Sequence, residues 1–229
     1  MARLLIHVEG QTEESFVNEI LRDHLVARGY HSVDARIVGN ARLRQRRGGI
    51  RSWPSVKKDI VRHLKSDPGC VATTMVDFYA LPQDGTNAWL GRATATQADT
   101  RARSSHIQKA IQKDLESEMG GEFNAARFVP YVVMHEFEGL LFSDCDSFSR
   151  AIGRPDLAAR FGAIREQFVM PEDINDSSET APSKRVEGLF PGYQKPLLGA
   201  LAILEIGLSR ICDECPNFKE WLTRLESLS

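Results

Sequence analysis

Apolar residues fall in turn into short continuous runs and longer stretches of helical spacing. Leu4, Leu5, Ile6 and Val8 form a run stopped at Glu9-Gly10, which reads as a buried strand. Phe16, Val17, Ile20, Leu21 and Leu25 then recur at helical spacing, with Thr12, Glu14 and Ser15 as start signals and Gly29 as the stop. Val33, Ala35 and Ile37 alternate with polar neighbours across 32–38 and predict a second strand, after which Pro54 opens a helix carrying Val56, Ile60, Val61 and Leu64. Beyond the turn Asp67-Pro68-Gly69, Cys70, Val71, Ala72, Met75 and Val76 predict a third strand ending at Asp77. Ile107, Ala110, Ile111 and Leu115 mark a helix closed by Gly120-Gly121. Phe128, Val129, Tyr131, Val132 and Val133 predict a fourth strand, running at once into His135-Glu136-Phe137-Glu138-Gly139-Leu140-Leu141-Phe142.

This alternation predicts an α/β fold with a mainly parallel four-stranded sheet flanked by helices. Right-handed crossovers then bring the C-terminal ends of all four strands to one edge, where open α/β sheets bind their ligands. Residues 171–196 are rich in Asp, Glu, Ser and Pro and read as a long loop holding Pro182-Ser183-Lys184-Arg185. Leu197, Leu198, Leu201, Leu204 and Leu208 mark one closing helix, and Phe218, Trp221, Leu222 and Leu225 a second, together a C-terminal helical cap. The expected division is an α/β domain over 1–145, with a loop and helical subdomain over 146–229 packed on it.

With 229 residues, 42% of them hydrophobic, the chain can bury a real core. A formal net charge of -2 leaves any attraction to phosphates to local basic patches. The N-terminal apolar run is too short for a signal peptide and no stretch is long enough to span a bilayer, so the expectation is a cytoplasmic protein without a membrane partner. Cys70, Cys145, Cys212 and Cys215 are too sparse for a disulfide framework, and Cys212-Asp213-Glu214-Cys215 lacks the second pair a zinc site needs. Neither a phosphate-loop lysine motif nor a Gly-x-Ser-x-Gly elbow occurs, which argues against an autonomous ATPase and an acyl-transfer hydrolase.

Glu9, Asp77 and the pair Glu136/Glu138 each follow a predicted strand, so three segments deliver carboxylates to the same edge. Taken singly, each reads as a helix cap, a turn residue or a solvated surface charge. Together they suit Mg²⁺ or Mn²⁺, because such crowding needs a cation and hard oxygen ligands favour these ions. His135, beside Glu136, suits metal ligation or proton transfer as well as a structural hydrogen bond. Arg42, Arg44, Arg46, Arg47 and Arg51 crowd the link after the second strand, near Gly39 and Gly48-Gly49. They read as a clamp on a phosphodiester backbone, or more plainly as a solvated basic loop. Lys184, Arg185 and Lys195 form a weaker basic group.

Val8-Glu9-Gly10-Gln11-Thr12-Glu13, Val76-Asp77-Phe78-Tyr79-Ala80-Leu81 and Met134-His135-Glu136-Phe137-Glu138-Gly139-Leu140-Leu141-Phe142 together resemble a bacterial family of TOPRIM-like proteins of unknown function. The arginine-rich stretch, Pro182-Ser183-Lys184-Arg185 and Cys215-Pro216-Asn217-Phe218 with Trp221-Leu222 extend the resemblance over most of the chain. It implies a TOPRIM fold in which a glutamate after the first strand and an Asp-x-Asp motif hold Mg²⁺ for phosphodiester chemistry. Glu9 and Asp77 match those positions, whereas Tyr79 stands in place of the second aspartate and leaves Glu136 or Glu138 to compensate. Nucleases of the overcoming-lysogenization-defect type are the nearest functional analogy, and the resemblance implies a separate AAA or ABC-type ATPase as partner.

The expectation is therefore a Mg²⁺-dependent nuclease acting on nucleic acid, DNA ahead of RNA, in defence or DNA repair. Glu9, Asp77, Glu136, Glu138 and His135 are its candidate catalytic residues, the four acids its metal ligands. Arg42, Arg44, Arg46, Arg47, Lys184 and Arg185 are its candidate nucleic-acid contacts. A non-catalytic subunit of an ATPase complex is the rival, and phosphoryl transfer on a small nucleotide would instead require a closed pocket under the C-terminal cap.

Overall fold

The computed structural model describes residues 2–38, 50–175 and 179–229. The first apolar run forms β1 (Arg3–Val8), which pairs in parallel with β2 (Ser32–Ile37) on one side and β3 (Cys70–Asp77) on the other. Both pairings keep one register, Arg3 facing Ser32 and Cys70, and Val8 facing Ile37 and Met75. The three strands therefore end together, at the edge where the sequence places Glu9 and Asp77.

The fourth strand departs from expectation, because it is two short pieces, β4 (Phe128–Val129) and β5 (Val132–Val133), both parallel to β3. Pro130 lacks the N–H that a continuous ladder requires. Two β3 hydroxyls patch the gap. Thr74 Oγ1 accepts from Tyr131 N at 3.0 Å and donates to Tyr131 O at 2.9 Å, and Thr73 Oγ1 donates to Val129 O. The sheet order is β2-β1-β3-β4, with β5 beside β3.

The first predicted helix comprises α1 (Gln11–Phe16), a wide π-helical turn (Val17–Leu21) and α2 (Arg22–Ala27). The next two are α3 (Trp53–Ser66), with a proline in its first turn, and α4 (Thr100–Met119), whose Asp99 side chain accepts from Ala102 N at 2.6 Å. Two short helices that the periodicity did not announce follow, α5 (Cys145–Ala151) and α6 (Ala158–Arg165). The polar stretch expected to be a loop contains α7 (Pro182–Leu189): a proline in the first turn starts it, and the Glu136 carboxylate accepts Ser183 N there at 2.9 Å. The expected penultimate helix is divided by Gly207 at φ 79° into α8 (Ala200–Ile206), preceded by a π-helical turn at Lys195–Gly199, and α9 (Leu208–Glu214). α10 (Pro216–Glu226) ends the fold.

Because strand side chains alternate, the sheet feeds two cores. Leu4, Ile6 and Val8 pack with Phe16, Leu21 and Leu25 and with the C-terminal Ile203, Phe218 and Trp221. On the other face Ala72, Val76 and Phe128 pack with Val56, Ile60, Ile107 and Ile111 from α3 and α4. Trp221 joins the C-terminal helices to the sheet, its ring stacked on Tyr131 at 4.7 Å and its Nε1 donating to Thr73 Oγ1 at 2.8 Å. Among the described residues no helix is long and apolar enough to cross a membrane. All four cysteines are free.

Candidate functional site

The parallel register places Glu9 and Asp77 side by side, since each follows the end of one of two neighbouring strands. Asp77 N donates to Glu9 Oε2 at 3.3 Å. Phe137 N donates to Asp77 Oδ1 at 2.9 Å and so ties the His-Glu-Phe-Glu segment to the same edge. His135 makes the connection possible by turning the chain through φ 65°, the one non-glycine among the described residues in the left-handed region. Its carbonyl accepts Tyr79 N at 3.2 Å, and its ring lies against Phe78 and Tyr79. The imidazole Nδ1 is buried without a partner.

Two further residues belong to this cluster. Glu13, one helical turn beyond Glu9, is buried, and its Oε2 accepts Gly10 N at 2.9 Å in a capping arrangement. Lys195, on the turn that leads into α8, places its ammonium 2.9 Å from Glu138 Oε2 and 3.8 Å from Glu136 Oε1. Lys195 thus pairs directly with Glu138 and Glu136, and its charge also acts on Glu9, Glu13 and Asp77.

Burial drives the electrostatics of this cluster. It pushes Glu9 up to about 7, with Glu13 adding repulsion, and it raises Asp77 well above the usual carboxylate range, helped by Glu9 and Glu13. Glu13 and Glu138 also move up through burial, against the counteracting pull of Lys195. For Lys195 burial alone would lower the pKa, but Glu138, Glu136 and Asp77 outweigh it and hold the ammonium charged. His135 goes down to about 4, through burial and then through Arg103 and Arg92, so its imidazole is neutral near pH 7.

Such a cluster has more carboxyl groups than cations to balance them, a condition that an added dication relieves. No group of three or more His, Cys, Asp or Glu side chains among the described residues is arranged to hold a metal ion. The pair Glu9/Asp77 nevertheless fits Mg²⁺, which typically takes one or two carboxylates and keeps several waters. Among the described residues, no hydrogen bond engages Glu9 Oε1 or Asp77 Oδ2, which leaves both as donors to a cation.

The remaining candidates are placed elsewhere or lie outside the described residues. Arg42, Arg44, Arg46 and Arg47 fall in the undescribed stretch 39–49. Arg51 lies just beyond it, donates to Val38 O at 3.1 Å and pairs with Asp59 at 2.7 Å. Lys184 pairs with Glu187 on α7 at 2.7 Å, while Arg185 donates to Thr180 O and covers the Phe168 ring. Arg92 does approach the edge, with its guanidinium 3.7 Å above the Phe78 ring and its Nε donating to Phe78 O at 3.0 Å. Glu13 carries a sequence signal as an acid one helical turn after Glu9, Arg92 as a charge in the polar segment after Asp77, and Lys195 as part of the weaker basic group with Lys184 and Arg185.

Fold and site together define an α/β protein with helices on both faces of a parallel sheet and a buried carboxylate cluster at the edge where the strands end. The chain belongs to the family described as Domain of unknown function (DUF4276), whose model matches residues 8–226. No curated protein and no solved structure matches it.

Proposed function

We propose that this protein is a Mg²⁺-dependent nuclease that hydrolyses phosphodiester bonds in nucleic acid, working with a separate AAA or ABC-type ATPase. The observation that carries this reading is the meeting of Glu9 and Asp77 at the ends of adjacent parallel strands, each with an oxygen free of hydrogen bonds among the described residues. In this reading the likeness to TOPRIM domains is one of descent, and Mn²⁺ serves in place of Mg²⁺. A bound dication would activate water and stabilise developing charge on the phosphodiester. Glu9 and Asp77 hold that ion. Lys195 offsets the charge of Glu138 and Glu136 in the metal-free site, and His135, neutral near pH 7, is the candidate proton carrier. Arg42, Arg44, Arg46 and Arg47 supply backbone phosphate contacts, with DNA the expected substrate and defence or repair the setting.

The test is cleavage of plasmid, linear duplex and single-stranded DNA in Mg²⁺, Mn²⁺ or EDTA, with and without candidate ATPase and ATP. Glu9→Gln and Asp77→Asn keep the shape of the site and remove its charge, so each is expected to lower cleavage by at least about 100-fold. Cleavage that survives both substitutions, or persists in EDTA, rules the reading out. Tyr79, standing where the TOPRIM likeness calls for a second aspartate, favours a second reading, a non-catalytic binding subunit of an ATPase complex. In that case both variants retain full activity in the assembled complex.

A further inference from the structure

α4 and α10 flank a cavity of about 280 Å³ on the side of the sheet, apart from the carboxylate edge. Its floor at Val129 is level with Thr73, four residues before Asp77 and so roughly 13 Å back along β3. Pro130, Tyr131 and Trp221 line that floor, the first two from the gap between β4 and β5.

The inner wall is uncharged and rich in hydrogen-bonding groups. Asn217, only 7% exposed, lines the cavity, and its Nδ2 has no hydrogen-bond partner. Opposite it on α4, Gln108 donates through Nε2 to Ser104 Oγ, so its Oε1 remains an acceptor. The mouth is cationic. Arg101, Lys109 and Arg224 are exposed there against a single acid, Glu220, which pairs with Arg101. Lys109 and Arg224 make no ion pair among the described residues.

We infer that this cavity is a second ligand site that takes one nucleoside monophosphate, with its phosphate at Lys109 and Arg224 and its base edge against Asn217 and Gln108. A bare anion leaves the two carboxamides idle, and an apolar ligand leaves the two cations idle. Carboxamides are the side chains that pair with the donor and acceptor rows of base edges, and unpaired cations at a rim suit phosphate. A volume just below the usual range for ligand pockets limits the occupant to a single nucleotide at most. The nucleotide is either free or the terminus of a strand, which present the same phosphate and base. None of this depends on the nuclease reading, because no carboxylate of the sheet edge takes part.

Calorimetric titration of the full chain with AMP, CMP, GMP and UMP tests the site, with inorganic phosphate as the anion-only control. At least one mononucleotide is expected to bind saturably at one per chain, about 10-fold or more tighter than phosphate. The exposed pair Lys109→Glu and Arg224→Glu is expected to weaken it about 10-fold or more, as is Gln108→Leu, while Glu9→Gln leaves it unchanged. Displacement by a 5′-phosphorylated oligonucleotide identifies a strand terminus as the natural source, and failure to displace identifies the free nucleotide. No saturable binding of any mononucleotide, equal affinity for phosphate, or indifference to the cavity variants in chains with native circular dichroism overturns the inference.

Discussion

Lys195 answers several buried acids at once, and its removal shows how much of their cost it offsets. Lys195→Met leaves Glu138 buried without its partner at 2.9 Å. Breaking a fully buried pair costs about 3–5 kcal/mol, and the lysine side chain remains 37% exposed, so a loss of about 2–3 kcal/mol at pH 8 is expected in urea unfolding. Because burial already raises the Glu138 pKa, the loss shrinks as the pH is lowered and the acid takes up a proton. A destabilisation that does not change between pH 8 and pH 5 would show that packing, and not charge, is what Lys195 supplies. Glu172 is a second buried acid with a different task. Its two oxygens accept Asn217 N at 2.9 Å and Phe218 N at 3.0 Å at the start of α10, and burial pushes it up to about 7. The folded state thus holds the Glu172 proton more tightly than the unfolded state. Its contribution is complete below pH 4.5, declines as pH rises towards 7 and is gone above it, about 3 kcal/mol in all. Between pH 5 and pH 8 the wild type is expected to lose about that much stability relative to Glu172→Gln, as urea melts across the range would reveal.

At the scale of elements, the edge of the sheet depends on threonines as much as on strands. Thr74 Oγ1 satisfies both the N–H and the C=O of Tyr131 where Pro130 interrupts the fourth strand. Thr74→Val has nearly the same shape but leaves both backbone groups buried and unpaired, and is expected to cost about 2–4 kcal/mol with an unchanged denaturant slope. A loss within about 0.5 kcal/mol would mean that the gap is closed by other means. Strand runs were legible because period and turn residues are local: β1, β2 and β3 begin and end within a residue or two of the apolar runs that predict them. α7 was not, because its start is completed by Glu136, some forty-seven residues earlier in the chain. Gly207, too, reads locally as tolerable inside a leucine-rich helix, and only the packing of α8 and α9 makes it a break.

For the molecule as a whole, the C-terminal helices are part of the sheet's own core. Phe218, Trp221 and Leu222 join Leu4, Ile6 and Val8 in one buried cluster, and Trp221 reaches Thr73 in the central strand β3. Removing residues 208–229 is therefore expected to abolish cooperative unfolding and the near-ultraviolet dichroism of packed aromatics, leaving a collapsed state without fixed packing. A shortened chain that still melts in one sharp transition would show that the sheet and the first helices are self-sufficient. The same architecture decides the site. Glu9 and Asp77 are candidates from sequence because strand ends in a parallel sheet share an edge, and the observed register brings them together.

The sequence by itself determined the order of strands and helices as far as the fourth strand, the parallel sheet and the pair of acids at its edge. Each follows from a short-range rule: the period of apolar residues, the turn that stops a run, and the handedness of a crossover. Only the tertiary structure decided that Glu13 and Lys195 belong with Glu9, Asp77 and Glu138 and that His135 takes a left-handed turn. It also decided that a cavity opens between α4 and α10. These features depend on which distant segments share the space around one strand end or one sheet edge, and side-chain burial and charge balance settle that only once the whole chain has packed.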